Sequence, residues 1–421
     1  MEFYSNTKIN NFFSNLNFLV IMIGYPLTTS IFIPLFGNIE GSSRVVTIPY
    51  RIFALTIVLI TIILNIKKKI YYSLPLKLFF LFWLTLLLRI YYDLEIRTEY
   101  IIPTIFKEQI WLVAIGICFL PMFALAKSIK SINFDLCLKY LFVSSAIILT
   151  ISFFTSVQST SNEERIQGNI ALDSISLGQS SIVGTIVSIY LIITKKKSSF
   201  LQRLSFAIFG LLGIYIALRS GSRGPLIALL LVLIFWFSFK EKRLIKAILI
   251  FSISILSIYI FQDLIIQSIS IISPVTSSRM NEAISGNDLS VLNRQESYMW
   301  FLNKIYENPI FGSQFARLTN GEYPGYAHNI FLDILLGFGI LGLVVFLFII
   351  AKSLLVVRES IISNNNFWIG LIFIQFFMLS ISSGAFYSDP MLNVLVVLLQ
   401  AFYGNIANKQ YKIEPKLYSY K

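Results

Sequence analysis

Residues 330–350 read IFLDILLGFGILGLVVFLFII, an apolar run whose only ionisable side chain is Asp333. A helix needs roughly 20 mostly apolar residues to cross a bilayer, so this run predicts a transmembrane helix. The only histidine of the chain, His328, lies just before it. Imidazole is the side chain most easily poised for proton transfer near neutral pH. His328 is therefore a candidate functional residue at a water–lipid boundary, although a lone histidine is more often structural.

The composition of the whole chain indicates a membrane protein. The 421 residues are 56% hydrophobic and 13% charged, with a mean hydropathy of +0.76. A soluble domain carries about 25% charged residues. The predicted fold class is an all-α membrane protein with about twelve transmembrane helices. Hydropathy predicts these spans at residues 17–36, 49–66, 74–92, 109–126, 138–154, 176–194, 201–218, 225–239, 244–262, 329–351, 366–384 and 390–406.

The net charge of +13 is distributed in a way that favours membrane topology over nucleic-acid binding. Basic clusters follow every second predicted span, as the positive-inside rule requires. Both termini are therefore predicted to lie in the cytoplasm, and no nucleic-acid partner is expected. The clusters lie at 67–69, 127–130, 195–197, 240–243 and 352–358, and further lysines follow residue 408.

The predicted outer side is rich in arginine, with Lys107 and Lys304 as its only lysines. Topology needs only positive charge, whereas the planar guanidinium group also binds phosphate oxygens in pairs. This bias indicates an anionic, phosphorylated ligand outside. The alternative is that the outer arginines form weak ion pairs with outer acids.

The predicted spans divide the chain into three parts. Residues 1–262 hold helices one to nine, 263–328 form a large outer loop resembling a small folded cap, and 329–421 hold helices ten to twelve and a cytoplasmic tail. Within the cap, residues 293–305 carry apolar side chains at helical spacing. They predict an amphipathic helix, which Pro309 ends.

The outer turn at residues 219–225 reads RSGSRGP and precedes an apolar helix. Free backbone N–H groups, the helix dipole and guanidinium groups converge at such a turn, which suits an anion. Arg223 is the stronger candidate because it leads directly into the helix. The alternative is that Arg219 and Arg223 only anchor helix ends at the level of the lipid headgroups.

Two further residues are candidates on weaker grounds. Arg294 begins the predicted cap helix, and alone it resembles an ordinary exposed arginine. Asp333 lies about 7.5 Å beyond His328 along a helix axis. It is either a hydrogen-bond partner inside the bundle or a second acid–base group. Cys118 and Cys137 are expected to be small apolar residues, and no cluster with metal-ligand spacing occurs, so no metal is predicted.

Several motifs together resemble the O-antigen ligase/polymerase superfamily. They are Ser222-Arg223-Gly224 opening an apolar helix, Asn308-Pro309-Ile310-Phe311-Gly312, Ala327-His328-Asn329 and Gly337-Phe338-Gly339-Ile340-Leu341-Gly342. The similarity covers roughly residues 176–351. Each motif is weak alone, whereas their order, spacing and outward topology are more specific.

The resemblance implies an integral-membrane glycosyltransferase with a GT-C-like helical architecture in the bacterial inner membrane. Such enzymes act at the periplasmic face on glycans carried by undecaprenyl pyrophosphate, as donor and acceptor, without metal or cofactor. A chain-length regulator protein is a further partner that it implies.

The resemblance also assigns roles to residues. Arg223 and Arg294 would bind the donor pyrophosphate as catalytic residues. His328 would activate the acceptor hydroxyl or orient the donor. Arg219, by proximity alone, and Asp333, by its position after the histidine motif, are expected to bind substrate.

Two alternatives remain beside an O-antigen polymerase. An O-antigen ligase would transfer finished glycan to lipid A core. The Ile- and Phe-rich character and the absence of basic neighbours around His328 favour the polymerase. A twelve-span transporter or glycan flippase is less favoured, because such proteins bind substrate near the midplane and often contain repeats.

Overall fold

The computed structural model describes residues 2–36, 42–70, 73–97, 99–158, 166–169, 172–195, 197–241, 244–286 and 289–413. It is helical apart from a hairpin of Val157–Gln158 with Ile166–Gln167. Lys196, Lys242 and Arg243 of the predicted cytoplasmic clusters, and the tail after Ile413, lie outside the described residues.

The helices follow one another through the whole chain. In order they are α1 Glu2–Leu19, α2 Tyr25–Phe36, α3 Ser42–Asn65, α4 Leu74–Tyr91, α5 Thr104–Trp111, α6 Leu120–Ser128, α7 Phe134–Thr155, α8 Ser174–Thr194, α9 Phe200–Arg219, α10 Arg223–Lys240, α11 Leu244–Ile260, α12 Gln262–Ile272, α13 Pro274–Ile284, α14 Leu289–Glu307, α15 Ile330–Ile362, α16 Phe367–Ser383 and α17 Pro390–Ile413. The π-helical turns Val20–Gly24 and Leu112–Phe119 join α1 to α2 and α5 to α6.

The all-α membrane fold class is confirmed. In the described part of the chain, nine helical stretches are long and apolar enough to cross a bilayer. A tenth is formed if α11 and α12, which are bent by 65° at their junction, make one broken span. Two shorter apolar helices, Phe367–Ser383 and Pro390–Ala401, overlap the last two predicted spans. The count of twelve therefore stays a prediction.

The outer faces of the spans are apolar. Phe154, Leu88 and Leu211 are 78%, 67% and 67% exposed. Water would disfavour such a surface, whereas lipid accommodates it. Among the nine long helical stretches of the described residues, α8 is the most buried, at 67%. Gly213 of α9 lets that helix approach closely, since a Cβ atom there would lie 2.7 Å from the Ser181 carbonyl oxygen.

The loops gather at two ends of the bundle. At the first, named here the Lys127 end, the Lys127 ammonium group donates to the Ile66 and Lys68 carbonyl groups. At the opposite, His328 end, Arg97 donates to the Ser313 carbonyl group and the Ile101 N–H donates to the Asn320 side chain. Contacts thus join two of the predicted cytoplasmic loops at one end and two of the predicted outer loops at the other.

The helix α15 is broken at Gly339, where the backbone has φ 62° and ψ −160°. The loop after α14 enters this break. The Ile340 N–H donates to the Pro309 carbonyl oxygen at 2.8 Å, and the Ser313 N–H donates to the Leu336 carbonyl oxygen at 2.7 Å. Backbone groups freed inside a membrane must find partners within the protein. The break therefore locks the end of the cap to the first turns of α15.

We predict that Gly339→Ala destabilises the protein far more than Gly321→Ala. Both glycines have positive φ, so both substitutions carry a backbone penalty of about 1–2 kcal/mol. Only at Gly339 would the added Cβ also collide with the Ile310 carbonyl group, whereas nothing lies within 4 Å at Gly321. Thermal melting of the two purified variants tests this difference. Equal melting temperatures would show that the loop does not depend on the break.

Candidate active site

His328 lies in the turn that leads into α15. Its backbone is left-handed, with φ 53°. The side chain of Asn329 caps the helix by accepting from the Phe331 and Leu332 N–H groups. On the other side of the turn, the Ala327 N–H donates to the Asp333 carboxylate at 2.9 Å. These contacts hold the histidine backbone between two anchored neighbours, so its ring position is determined by the start of α15.

The imidazole ring of His328 packs against the Tyr326 ring, with the centroids 4.3 Å apart. Its Nδ1 atom is buried, and no described residue hydrogen-bonds to it. Burial and then the positive charge of Arg294 lower the pKa of His328 from its ordinary value of 6.5. The ring is therefore neutral at neutral pH and has one nitrogen able to accept a proton.

Arg294 is brought to this ring by α14. The apolar side chains of Phe301 and Ile305 are buried with Ala327 and Leu336, which docks α14 against the start of α15. The sequence prediction of an amphipathic helix over 293–305 is thus confirmed, with α14 somewhat longer. The guanidinium group lies close enough to interact electrostatically with both His328 and Tyr326.

Arg223 belongs to a second cationic group at the same end of the bundle. Its guanidinium group donates to the Arg279 carbonyl oxygen at 2.6 Å, and Arg279 in return donates to the Gly221 carbonyl oxygen at 3.0 Å. The Thr276 hydroxyl also donates to the Leu218 carbonyl oxygen. The cap helix α13 is thereby fastened to the 219–225 turn. Arg279 carries no motif, which is why the sequence did not single it out.

The other two predicted substrate-binding residues have different settings. Arg219 is directed back along α9, where it donates to the Tyr215 hydroxyl at 3.4 Å and lies over that ring. Asp333 is 7% exposed and accepts from the Ala327 N–H, with the Phe386 backbone as a second hydrogen-bond partner. Substrate binding by either residue stays a prediction, and the contact of Asp333 indicates a role in positioning the histidine turn.

Residues 207–347 match a family of proteins described as O-antigen ligase. Residues 207–347, about a third of the chain, are therefore similar to that family. The resemblance inferred from the motifs is confirmed, and the match contains Arg219, Arg223, Arg294, His328 and Asp333. No curated protein matches the chain.

Tyrosines surround the histidine of the O-antigen ligase domain and were missed by sequence reasoning. Burial raises the pKa of Tyr326, and the nearby Asp333 carboxylate acts in the same direction. Burial also raises the pKa of Tyr387, whose hydroxyl donates to Tyr323. These hydroxyl groups stay protonated at neutral pH and line one side of the histidine turn. The pattern gives no signal for them, because Tyr387 reaches the site from beyond the matched residues.

An apolar groove of about 490 Å³ opens among α2, α3, α8, α17 and the π-helical turns. Its polar lining includes Tyr25, Arg51, Ser176 and Gln179. Asp173, the cap of α8, is exposed and interacts electrostatically with both Tyr25 and Tyr326. Asp173 therefore links the groove and the histidine site electrostatically. Within the described residues, no group of three His, Cys, Asp or Glu side chains is placed to hold a metal ion.

We predict that Asp333→Ala lowers the melting temperature, whereas Asp333→Asn retains most of it. The alanine variant leaves the buried Ala327 N–H without its acceptor, which costs about 1–3 kcal/mol. The asparagine oxygen still accepts that hydrogen bond. Thermal melting and transfer kinetics of both variants test the positioning role. Loss of transfer in Asp333→Asn with unchanged melting would instead support direct contact with substrate.

We predict an activity profile whose acid limb lies below pH 6.5, because the pKa of His328 is lowered and protonation removes the base. Removing the positive charge in Arg294→Gln raises that pKa and moves the acid limb to higher pH. The position of the limb, measured from kcat/KM between pH 4.5 and 8, is independent of the overall loss of activity. Glu296→Gln, which changes an exposed residue of the same helix, serves as the control. An unmoved limb in Arg294→Gln would contradict the electrostatic pairing.

Proposed function

We propose that this protein is an O-antigen polymerase of the bacterial inner membrane. It joins oligosaccharide repeat units carried on undecaprenyl pyrophosphate at the periplasmic face. The observation that carries the proposal is a neutral histidine beside Arg294, inside a domain of the O-antigen ligase family. Membership of that family favours an enzyme that transfers glycans over a transporter or flippase.

His328 is the general base of the proposed reaction. The acceptor hydroxyl gives its proton to an imidazole nitrogen while its oxygen bonds to the anomeric carbon of the donor sugar. The lowered pKa leaves the ring ready to accept that proton at neutral pH. General-base help of this kind contributes about 10²–10⁴-fold to the rate.

The arginines act on the leaving group. The bond between the anomeric carbon and the pyrophosphate oxygen breaks, and its electron pair leaves with the pyrophosphate. Arg294 stabilises the developing negative charge beside His328, and Arg223 contributes from the turn before α10. Each positioned cationic donor is worth about 3 kcal/mol in a water-poor site. Because the donor arrives on a lipid, the proposed reaction needs no nucleotide-sugar site, and the two arginines supply the stabilisation of the leaving-group charge.

Ligase activity is the second candidate, since the matching family is described as O-antigen ligase. Both reactions use the same donor chemistry and differ in the acceptor. We favour the polymerase because Ala327 and Asn329, which flank His328 in the motif, are uncharged, and the nearby Arg294 is assigned to the donor pyrophosphate. A phosphorylated lipid A core would be better met by basic neighbours.

We predict that His328→Ala reaches the membrane normally and lowers glycan transfer by about 10²–10⁴-fold, because it loses its base. Lipopolysaccharide ladders from cells expressing the variant at native level measure this effect. His328→Gln retains a hydrogen-bonding group without a base of suitable pKa, so it should also fail. A normal ladder from His328→Ala would refute the catalytic role.

Deletion of the gene separates the two candidate reactions on the same gel. A polymerase deletion leaves lipid A core carrying one repeat unit. A ligase deletion leaves core without any repeat unit, while lipid-linked polymer accumulates. Unchanged outer glycan together with altered solute uptake would refute both and favour a transporter.

A further inference from the structure

Arg51 is an arginine inside a membrane span. The span Arg44–Asn65 of α3 contains it about two turns after its start, or roughly 10 Å along the axis. Among the described residues, no carboxylate forms an ion pair with Arg51. An intramembrane charge is costly, and it is usually retained for a ligand or an ion pair. Arg51 is exposed in the structure and lines the apolar groove, so its charge is available to an anionic ligand there.

The groove beside Arg51 has the shape of an amphiphile site. Beyond Arg51 its lining becomes apolar, with Leu55 and Val58 on the same helix and Val183 on α8. The polar side chains Tyr25 and Arg51 lie toward the His328 end. A cation at one end of an apolar groove is complementary to a phosphate headgroup attached to a long hydrocarbon chain.

The lining of the groove contains Arg51 but neither Arg223 nor Arg294, so these cations belong to separate sites. The exposed Asp173 acts electrostatically on Tyr25 of the groove and on Tyr326 of the histidine site. Its negative charge disfavours an anion shared by the two sites. Arg51 and Arg294 therefore suit two separate anions.

We propose that this groove binds the isoprenoid chain of the acceptor, a second polyprenyl-linked glycan, and that Arg51 binds its proximal phosphate. This inference rests on the proposed polymerase function, in which the donor pyrophosphate occupies Arg223 and Arg294. The arrangement holds two lipid-linked substrates at separate cationic sites, one at Arg51 and one at Arg223 and Arg294. The acceptor glycan then reaches His328 from the Tyr326 side.

The first test is photolabelling of the full-length protein in lipid nanodiscs. The probe is a short isoprenyl phosphate, just long enough to reach from Arg51 to Val58, with a diazirine on its terminal isoprene unit. Wild-type protein should be labelled on peptides that line the groove around Leu55 and Val58, and Arg51→Gln should lose at least fivefold of that labelling. Arg44→Gln removes the same charge from the same helix outside the groove, so its labelling should equal wild type.

A second variant tests the groove without changing Arg51. Ala54→Trp places a large ring in the groove lining, so it should also lose labelling while melting at the wild-type temperature. The proposal would be overturned if labelling were spread evenly over the lipid-facing helices and were the same in Arg51→Gln and Ala54→Trp as in the wild type. If Ala54→Trp melts below the wild-type temperature, Leu55→Phe replaces it, because that substitution also narrows the groove.

Kinetics with separately labelled donor and acceptor lipids complete the test. Arg51→Gln should raise KM for the acceptor lipid about tenfold and leave KM for the donor unchanged. A raised donor KM would overturn the acceptor assignment. If His328→Ala abolishes transfer while Arg51→Gln and Ala54→Trp keep wild-type KM values, the groove proposal fails and the polymerase stands. If the groove is labelled through Arg51 while His328→Ala still polymerises, the proposed catalytic function fails instead.

Discussion

The break of α15 at Gly339 depends on one constraint, namely that a backbone inside a membrane must satisfy its own hydrogen bonds. The Ile340 N–H finds the Pro309 carbonyl group, and the Leu336 carbonyl group accepts from Ser313 and Gln314. These bonds fasten the end of the cap to α15. Because α14 precedes that loop and His328 precedes α15, the same junction determines how Arg294 approaches the imidazole ring. The family domain therefore works as one unit of cap and helix.

One positive charge has two effects at the histidine. Together with burial, Arg294 disfavours the protonated form of His328. In the proposed reaction it also attracts the anionic donor, so the group that binds the leaving group helps to keep the base neutral. Once the donor pyrophosphate is bound, its negative charge offsets Arg294 and makes proton acceptance by His328 more favourable. Donor binding would in this way prepare the base for the acceptor hydroxyl.

Lysine and arginine are also distributed differently between the two predicted ends of the bundle. Lysines dominate at the Lys127 end, where Lys127 holds carbonyl groups at the ends of neighbouring helices. Arginines dominate at the His328 end, where they occupy a turn, a cap helix and a span. A guanidinium group suits phosphate better than an ammonium group does, since its planar fork makes paired hydrogen bonds. The three arginines Arg223, Arg294 and Arg51 lie on separate elements, which allows more than one phosphorylated lipid.

The sequence by itself determined the membrane class, the order of the helices and the amphipathic helix of the cap, because hydropathy and helical periodicity are local properties. It also singled out His328, Arg223 and Arg294 through motifs. It did not determine that Arg294 lies beside His328 or that Asp333 holds the Ala327 N–H, nor that Arg279 and Tyr387 belong to the same end. It placed Arg51 near the start of a span and assigned it no partner. These features join residues far apart in the chain, and only the packing of α13, α14 and α15 decides which side chains meet. Distance in the fold is independent of distance along the chain, so the electrostatics of the site came from tertiary structure alone.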